Sequence, residues 1–119
     1  MAPITFEEAL DSILADLKSL MLKKQKDYGP RNITDFGELG ILIRANDKIA
    51  RLKNLRFSGR TAVNESVDDS WMDLANYGII ALMLRRGVFD LPLADCIKQK
   101  EVQLHEADHP VTDRRHPAP

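Results

Sequence analysis

Glu65, Asp69 and Asp73 recur every four residues, and Asn76 follows three further on. If Glu65 to Tyr77 is one helix, these side chains fall within a sector of roughly 80° at about 100° per residue. Residues four apart on a helix stand about 5–6 Å apart at Cβ. Three carboxylates stacked in that way repel one another unless a cation lies among them. Such a face suits a hard cation such as Mg²⁺, which takes one or two carboxylates together with waters and substrate phosphates. A solvated acidic face is the alternative, because Glu65 and Asp69 in the first two turns would complement the helix dipole. Asp73, two turns in, gains nothing from that dipole. Asn76 and Tyr77 carry polarity on into the apolar half of the helix.

An upstream helix offers opposite charge. Arg44, Asp47, Lys48, Arg51 and Asn54 lie in a sector of roughly 120°. On an isolated helix, Asp47 would pair locally with Arg51 or Arg44. Where this face meets the acidic one, buried charges need partners, a metal or a charged ligand. Carboxylates on Mg²⁺, with Arg and Lys on phosphoryl oxygens, would hold a metal-bound polyphosphate. Lys23, Lys24 and Lys26 lie near a helix end, where they either complement the dipole or reach phosphate. Tyr28 either stacks on a base or packs on the bundle. Glycine-rich phosphate loops and Gly-x-Ser-x-Gly are absent, and Cys96 has no histidine beside it. His105, His109 and His116 do not meet zinc spacing and are expected to be solvated.

The elements that must position these groups are helical, with no strand alternation. Thr5 with Glu8 three residues on is a capping box. Leu10, Ile13, Leu14, Leu17, Leu20 and Met21 follow at helical spacing, up to about Lys26, before the breakers Asp27-Tyr28-Gly29-Pro30. A loop runs to Thr34 or Asp35, either of which can cap a second helix from Phe36 to Arg56. Its apolar side is Ile41, Leu42, Ala45, Ile49 and Leu52. After a connection over 57–64, with Asn64 as cap, a third helix runs from Glu65 to about Arg86. Trp71, Leu74, Ala75, Ile79, Leu82 and Met83 occupy its other faces, and Gly87 is its stop. Asp90 as cap and Pro92 in the first turn begin a fourth helix to about Ala107, with Leu93, Cys96, Ile97 and Leu104 inward. The spacing therefore predicts one all-α domain, a four-helix-type bundle over 1–107. Residues 108–119, with three prolines, form a tail that is either disordered or laid on a neighbouring subunit.

The 119 residues, 44% hydrophobic and with net charge −1, are enough for one modest core. The near-neutral balance argues against nucleic acid or a membrane surface as partner. One cysteine rules out an intrachain disulfide, no run approaches the roughly 18 residues of a membrane span, and no signal peptide is visible. A cytoplasmic location is expected. Two charged inner faces leave so small a bundle little core of its own, so a homodimer or homotetramer is expected, with the third helix near the interface.

Four motifs carry a family resemblance over about Lys23 to Gly87: Lys26-Asp27-Tyr28-Gly29, Gly37-Glu38-Leu39-Gly40, the run Arg44 to Leu55, and Glu65-Ser66 through Asp69 followed by Asp73-Leu74-Ala75-Asn76-Tyr77. Together they resemble the MazG-like all-α nucleoside triphosphate pyrophosphohydrolases, and most closely the phage and bacterial nucleotide modification associated domain 1. A phage origin would make the compartment the host cytoplasm. The resemblance implies an oligomeric helical bundle in which carboxylates from two adjacent helices bind Mg²⁺, with Mn²⁺ as the alternative. Water would then attack the α–β linkage of a (deoxy)nucleoside triphosphate, giving monophosphate and pyrophosphate. The superfamily's Glu-x-x-Glu and Glu-x-x-Asp are altered here: Ile41 and Ser70 stand at two of the acidic positions, and Asp69 or Glu65 is the available substitute.

On this basis the expected metal ligands are Glu38, Asp47, Glu65, Asp69 and Asp73, the last four also serving catalysis. Lys48, Arg51, Arg44 and Lys26 are expected on phosphate, and Tyr28, Asn54, Asn76 and Tyr77 on base or sugar. A non-catalytic nucleotide-binding or sensing module is the alternative, and a purely structural helical oligomer is a third reading.

Overall fold

The computed structural model describes residues 2–63 and 65–97. All of its regular structure is helical: α1 (Phe6–Tyr28), α2 (Arg31–Thr34), α3 (Gly37–Ser58) and α4 (Val67–Arg85). The chain is all-α, as its periodicity predicts.

Local chemistry sets most of the boundaries. The Thr5 hydroxyl accepts from the Glu8 N–H while Glu8 accepts from the Thr5 N–H, which satisfies two orphan donors of α1. Gly59, left-handed at φ 70°, stops α3. At the end of α4, Val88 N–H reaches Met83 O at 3.0 Å and Gly87 N–H reaches Leu84 O at 3.1 Å. With Gly87 at φ 68°, this is a Schellman stop.

Four expectations about boundaries are corrected. The loop after α1 contains the one-turn helix α2, which places the buried Ile33. Thr34 therefore ends α2 instead of capping α3, and Asp35 pairs with Arg31 at 3.9 Å. The third expected helix begins two residues late, at Val67, with Ser66 and not Asn64 as its cap; Asn64 itself lies outside the described residues. The fourth expected helix begins at Ala94, with Cys96 and Ile97 N–H groups on Leu93 O, so Leu93 and not Asp90 stands at its cap position. The remainder of the expected fourth helix, Leu104, the three histidines and the tail lie outside the described residues.

The ion pairs orient α3 and α4. Glu38 at the start of α3 meets Arg85 at the end of α4, and Lys48 further along α3 meets Glu65 just before α4, so the two helices run antiparallel. The core is small: Ile33, Ile41, Ile80 and Phe89, with Met21, Tyr77, Ala81, Met83 and Leu84 packed against it. Leu17 of α1 is also buried. Several apolar residues on the predicted helices are exposed, including Leu10, Ile13 and Leu14 of α1, Leu42 and Ile49 of α3, and Trp71 and Leu82 of α4, as are Cys96 and Ile97, which were expected inward. Helical periodicity marks an apolar stripe correctly but does not say that one chain contains the surface that covers it.

Candidate functional site

Asp73 lies where α4 faces both α1 and α3. Its Oδ1 accepts from Lys24 Nζ of α1 at 3.0 Å, and its Oδ2 is 2.9 Å from Lys48 Nζ of α3. Lys48 also donates to Glu65 Oε1 at 2.8 Å. Ser70 has no exposed surface; its hydroxyl donates to the same Glu65 oxygen at 3.0 Å and accepts from Arg51 Nη1 at 2.5 Å. Arg51 Nη2 donates to the Glu65 carbonyl oxygen. Three cations thus surround two carboxylates, and the group carries net positive charge.

Each protonation state is fixed by its neighbours. The hydrogen bond to Glu65 is the main reason that Lys48 is held above its usual 10.5; burial opposes this and Asp73 reinforces it. Glu65 is held below 4.5 first by Lys48, then by Ser70. For Asp73 the largest single influence is burial, which raises its pKa, but hydrogen bonds from Lys48 and Lys24 together outweigh it and hold the carboxyl below 3.8. All three are therefore charged at neutral pH.

Beside this network a cavity of about 360 Å³ opens between α1, α2 and α4, within the range usual for small-molecule sites. Tyr28, Tyr77 and Phe89 supply aromatic surface, and Gln25, Asn32 and Asn76 supply amides. Lys24, Arg44 and Asp73 form its charged side. Flat apolar faces, a few fixed amides and a cationic edge suit a planar heteroaromatic ring bearing an anionic group.

Of the residues expected at the site, Glu65, Asp73, Lys48 and Arg51 come together in the network. Tyr28, Arg44, Asn76 and Tyr77 come together at the cavity. The others do not join. Asp69 is exposed and is the third residue of a capping box, accepting from Ser66 N–H at 3.2 Å. Glu38 pairs with Arg85 at 3.2 Å and Lys26 with Asp95 at 3.5 Å. Asp47 and Asn54 are exposed on α3. Glu65 reaches the site from the segment before α4, not from the helix face on which it was expected.

Ser70, Gln25, Asn32 and Phe89 were not foreseen as site residues, and of the lysines near the end of α1 Lys26 was expected on phosphate, whereas Lys24 is the one that reaches Asp73. The α1 spacing held a signal for Lys24: it shares a face with Leu17, Met21 and Tyr28, which Lys23 does not. Nothing local marks Asn32 or Phe89, because each follows a turn whose direction sets its place.

The fit to a divalent cation turns on what already holds the acids. Only two carboxylates converge, each is occupied by lysine, and no cluster of three or more Asp, Glu, His or Cys side chains poised for a metal occurs among the described residues. As arranged, these acids do not form a Mg²⁺ cage, and the excess of cations favours an anion beside them.

No curated protein and no solved structure matches the chain. The family model described as nucleotide modification associated domain 1 matches residues 24–84, a span that runs from Lys24 through Asp73 and Asn76 and takes in both the ion network and most of the cavity. The chain belongs to the nucleotide modification associated domain 1 family.

Proposed function

We propose that the protein binds a nucleotide, with the base in the cavity and the phosphates toward Lys24 and Arg44, with Lys48 and Arg51 behind Asp73. The observation that carries this reading is the junction at Asp73, where an aromatic and amide-lined cavity meets a network with more cations than carboxylates. Phosphate would exchange with Asp73 for the lysine ammonium groups, and the half-exposed Lys24 is the freer of the two to move. Titration calorimetry with deoxynucleoside triphosphates in EDTA tests this reading. Saturable binding, weakened by Lys24→Met and Arg44→Met, is expected, and no heat with any nucleotide removes it.

A second reading adds the activity that the MazG-like resemblance implies: Mg²⁺-dependent hydrolysis of the bound nucleotide to monophosphate and pyrophosphate. What favours it is that Glu65 and Asp73 share one cation, Lys48 Nζ, at 2.8 and 2.9 Å. Carboxylates from two segments are thus within reach of one cation, although Mg²⁺ would have to displace Lys48 to take that place. Ion-exchange analysis of products after incubation with Mg²⁺ and each triphosphate separates the two readings. Monophosphate plus pyrophosphate establishes the hydrolase, and intact triphosphate across nucleotides that bind leaves a binding module. Neither reading needs a membrane: no described helix is long and apolar enough to cross one. The exposed apolar stripes on α1, α3 and α4 support a homodimer or homotetramer as the working form.

A further inference from the structure

Asn76 is 5% exposed, and its Nδ2 donates to Leu17 O at 3.2 Å, while its Oδ1 is buried at the cavity wall without a partner. That bond fixes the amide's orientation, because a flip would set Oδ1 against a carbonyl oxygen that can only accept. A second buried acceptor on the same cavity, Asn32 Oδ1, is also unpartnered. The neighbouring donors point elsewhere: Lys24 bonds Asp73, Gln25 Nε2 bonds Phe89 O and Arg44 bonds Asn32 O, and none meets either amide oxygen. Both oxygens thus lack a donor from the protein, and buried acceptors without partners are rare in native proteins.

We infer that this wall reads an exocyclic amino group, so that the ligand is a nucleotide whose base carries a free –NH₂. An amino group brings two N–H donors, one for Asn76 Oδ1, whose orientation is fixed, and one for the Asn32 side-chain amide on the same cavity. Thymine and uracil instead present one N–H flanked by two carbonyl oxygens, which would be set against Asn76 Oδ1 and Asn32 Oδ1. A site built to meet a donor rejects a ligand that lacks it more strongly than an apolar pocket does. The inference rests on the nucleotide-binding reading and adds which edge of the base is recognised.

Calorimetry on the wild-type chain in EDTA tests it with dATP, dCTP, dGTP, dTTP, dUTP and N6,N6-dimethyl-dATP. The expected result is that dATP, dCTP or dGTP binds at least about tenfold more tightly than dTTP and dUTP. Removing both amino hydrogens in the dimethyl analogue should cost dATP a similar factor. Asn32→Ala, outside the α1–α4 packing, should narrow the preference without abolishing binding. Equal affinity for all six ligands, or tighter binding of dTTP, overturns the amino inference and leaves nucleotide binding standing. No binding by any of them overturns both.

Discussion

Replacing Asp73 with Asn tests whether this carboxylate serves to hold the lysines. Asn has nearly the same shape but only one acceptor oxygen, so it cannot serve Lys24 at 3.0 Å and Lys48 at 2.9 Å together. Hydrogen bonds to charged groups contribute about 1.5–3 kcal/mol each. Lys24 is half exposed and returns to water, while Lys48 keeps Glu65 at 2.8 Å, so the net loss should stay near a single such bond, about 2 kcal/mol. At a urea slope of about 2 kcal/mol/M, the unfolding midpoint falls by roughly 1 M. Ligand affinity should move the other way. For a phosphate taken to lie ~8 Å from the deleted charge, at an effective dielectric of 20–80, the anion is favoured by roughly 0.5–2 kcal/mol. Nucleotide binding in EDTA is therefore expected to tighten about two- to thirtyfold as stability falls. An unchanged midpoint together with weaker binding would refute the reasoning and make Asp73 a direct ligand contact. If the hydrolase reading holds, the same variant binds but does not turn over.

The network also predicts a pH window. Glu65 and Asp73 titrate below 4.5 and 3.8 in the folded state, so their contribution is complete above those values and is lost as pH falls through the depressed ones. Lys48 titrates above 10.5, so its contribution is complete below that value and is lost as pH rises through the raised one. Urea midpoints measured from pH 2 to pH 11 should show a plateau between these limits that Asp73→Asn flattens on the acid side. Lys48→Met should cost more stability than Lys24→Met, because Lys48 is 20% exposed and serves two carboxylates while Lys24 is 50% exposed and serves one; a urea series on both variants makes the comparison. Trp71, 57% exposed on α4, should lie in the interface of a homo-oligomer. Light scattering at micromolar concentration is expected to show an oligomer for the wild type and a monomer for Trp71→Glu; a wild-type monomer would contradict the expected assembly.

Fold class was legible because three of the helices are long, periodic and punctuated by residues with one dominant local use. The Thr5–Glu8 box and Gly87 set their boundaries through hydrogen bonds that reach no further than three to five residues. Burial was much less legible. Leu17 and Leu14 lie one turn apart on the same stripe, yet only Leu17 is covered, and the difference is where α4 crosses α1. A hydrophobic period records which way a helix wants to face, and the surface that answers it is a long-range fact.

The acid pattern shows why the residues of a site can be read from sequence while its geometry cannot. Four-residue spacing put Glu65, Asp69 and Asp73 on one face only if the helix began at Glu65. The sequence Ser66-Val67-Asp68-Asp69 also spells a reciprocal cap, and that cap forms. Forming it takes Asp69 out of the acidic face and leaves Glu65 in the incoming segment, where Arg51 holds its carbonyl and Ser70 its carboxylate. Ser70 stands where the superfamily resemblance expects an acid, and its buried hydroxyl joins Glu65 to Arg51, so the negative charge at that position is supplied from five residues earlier. Against the acidic pattern that the resemblance implies, a negative charge thus stands beside Ser70 but comes from another segment. The lysines that meet that charge from α1 and α3 are the groups a phosphate would have to win.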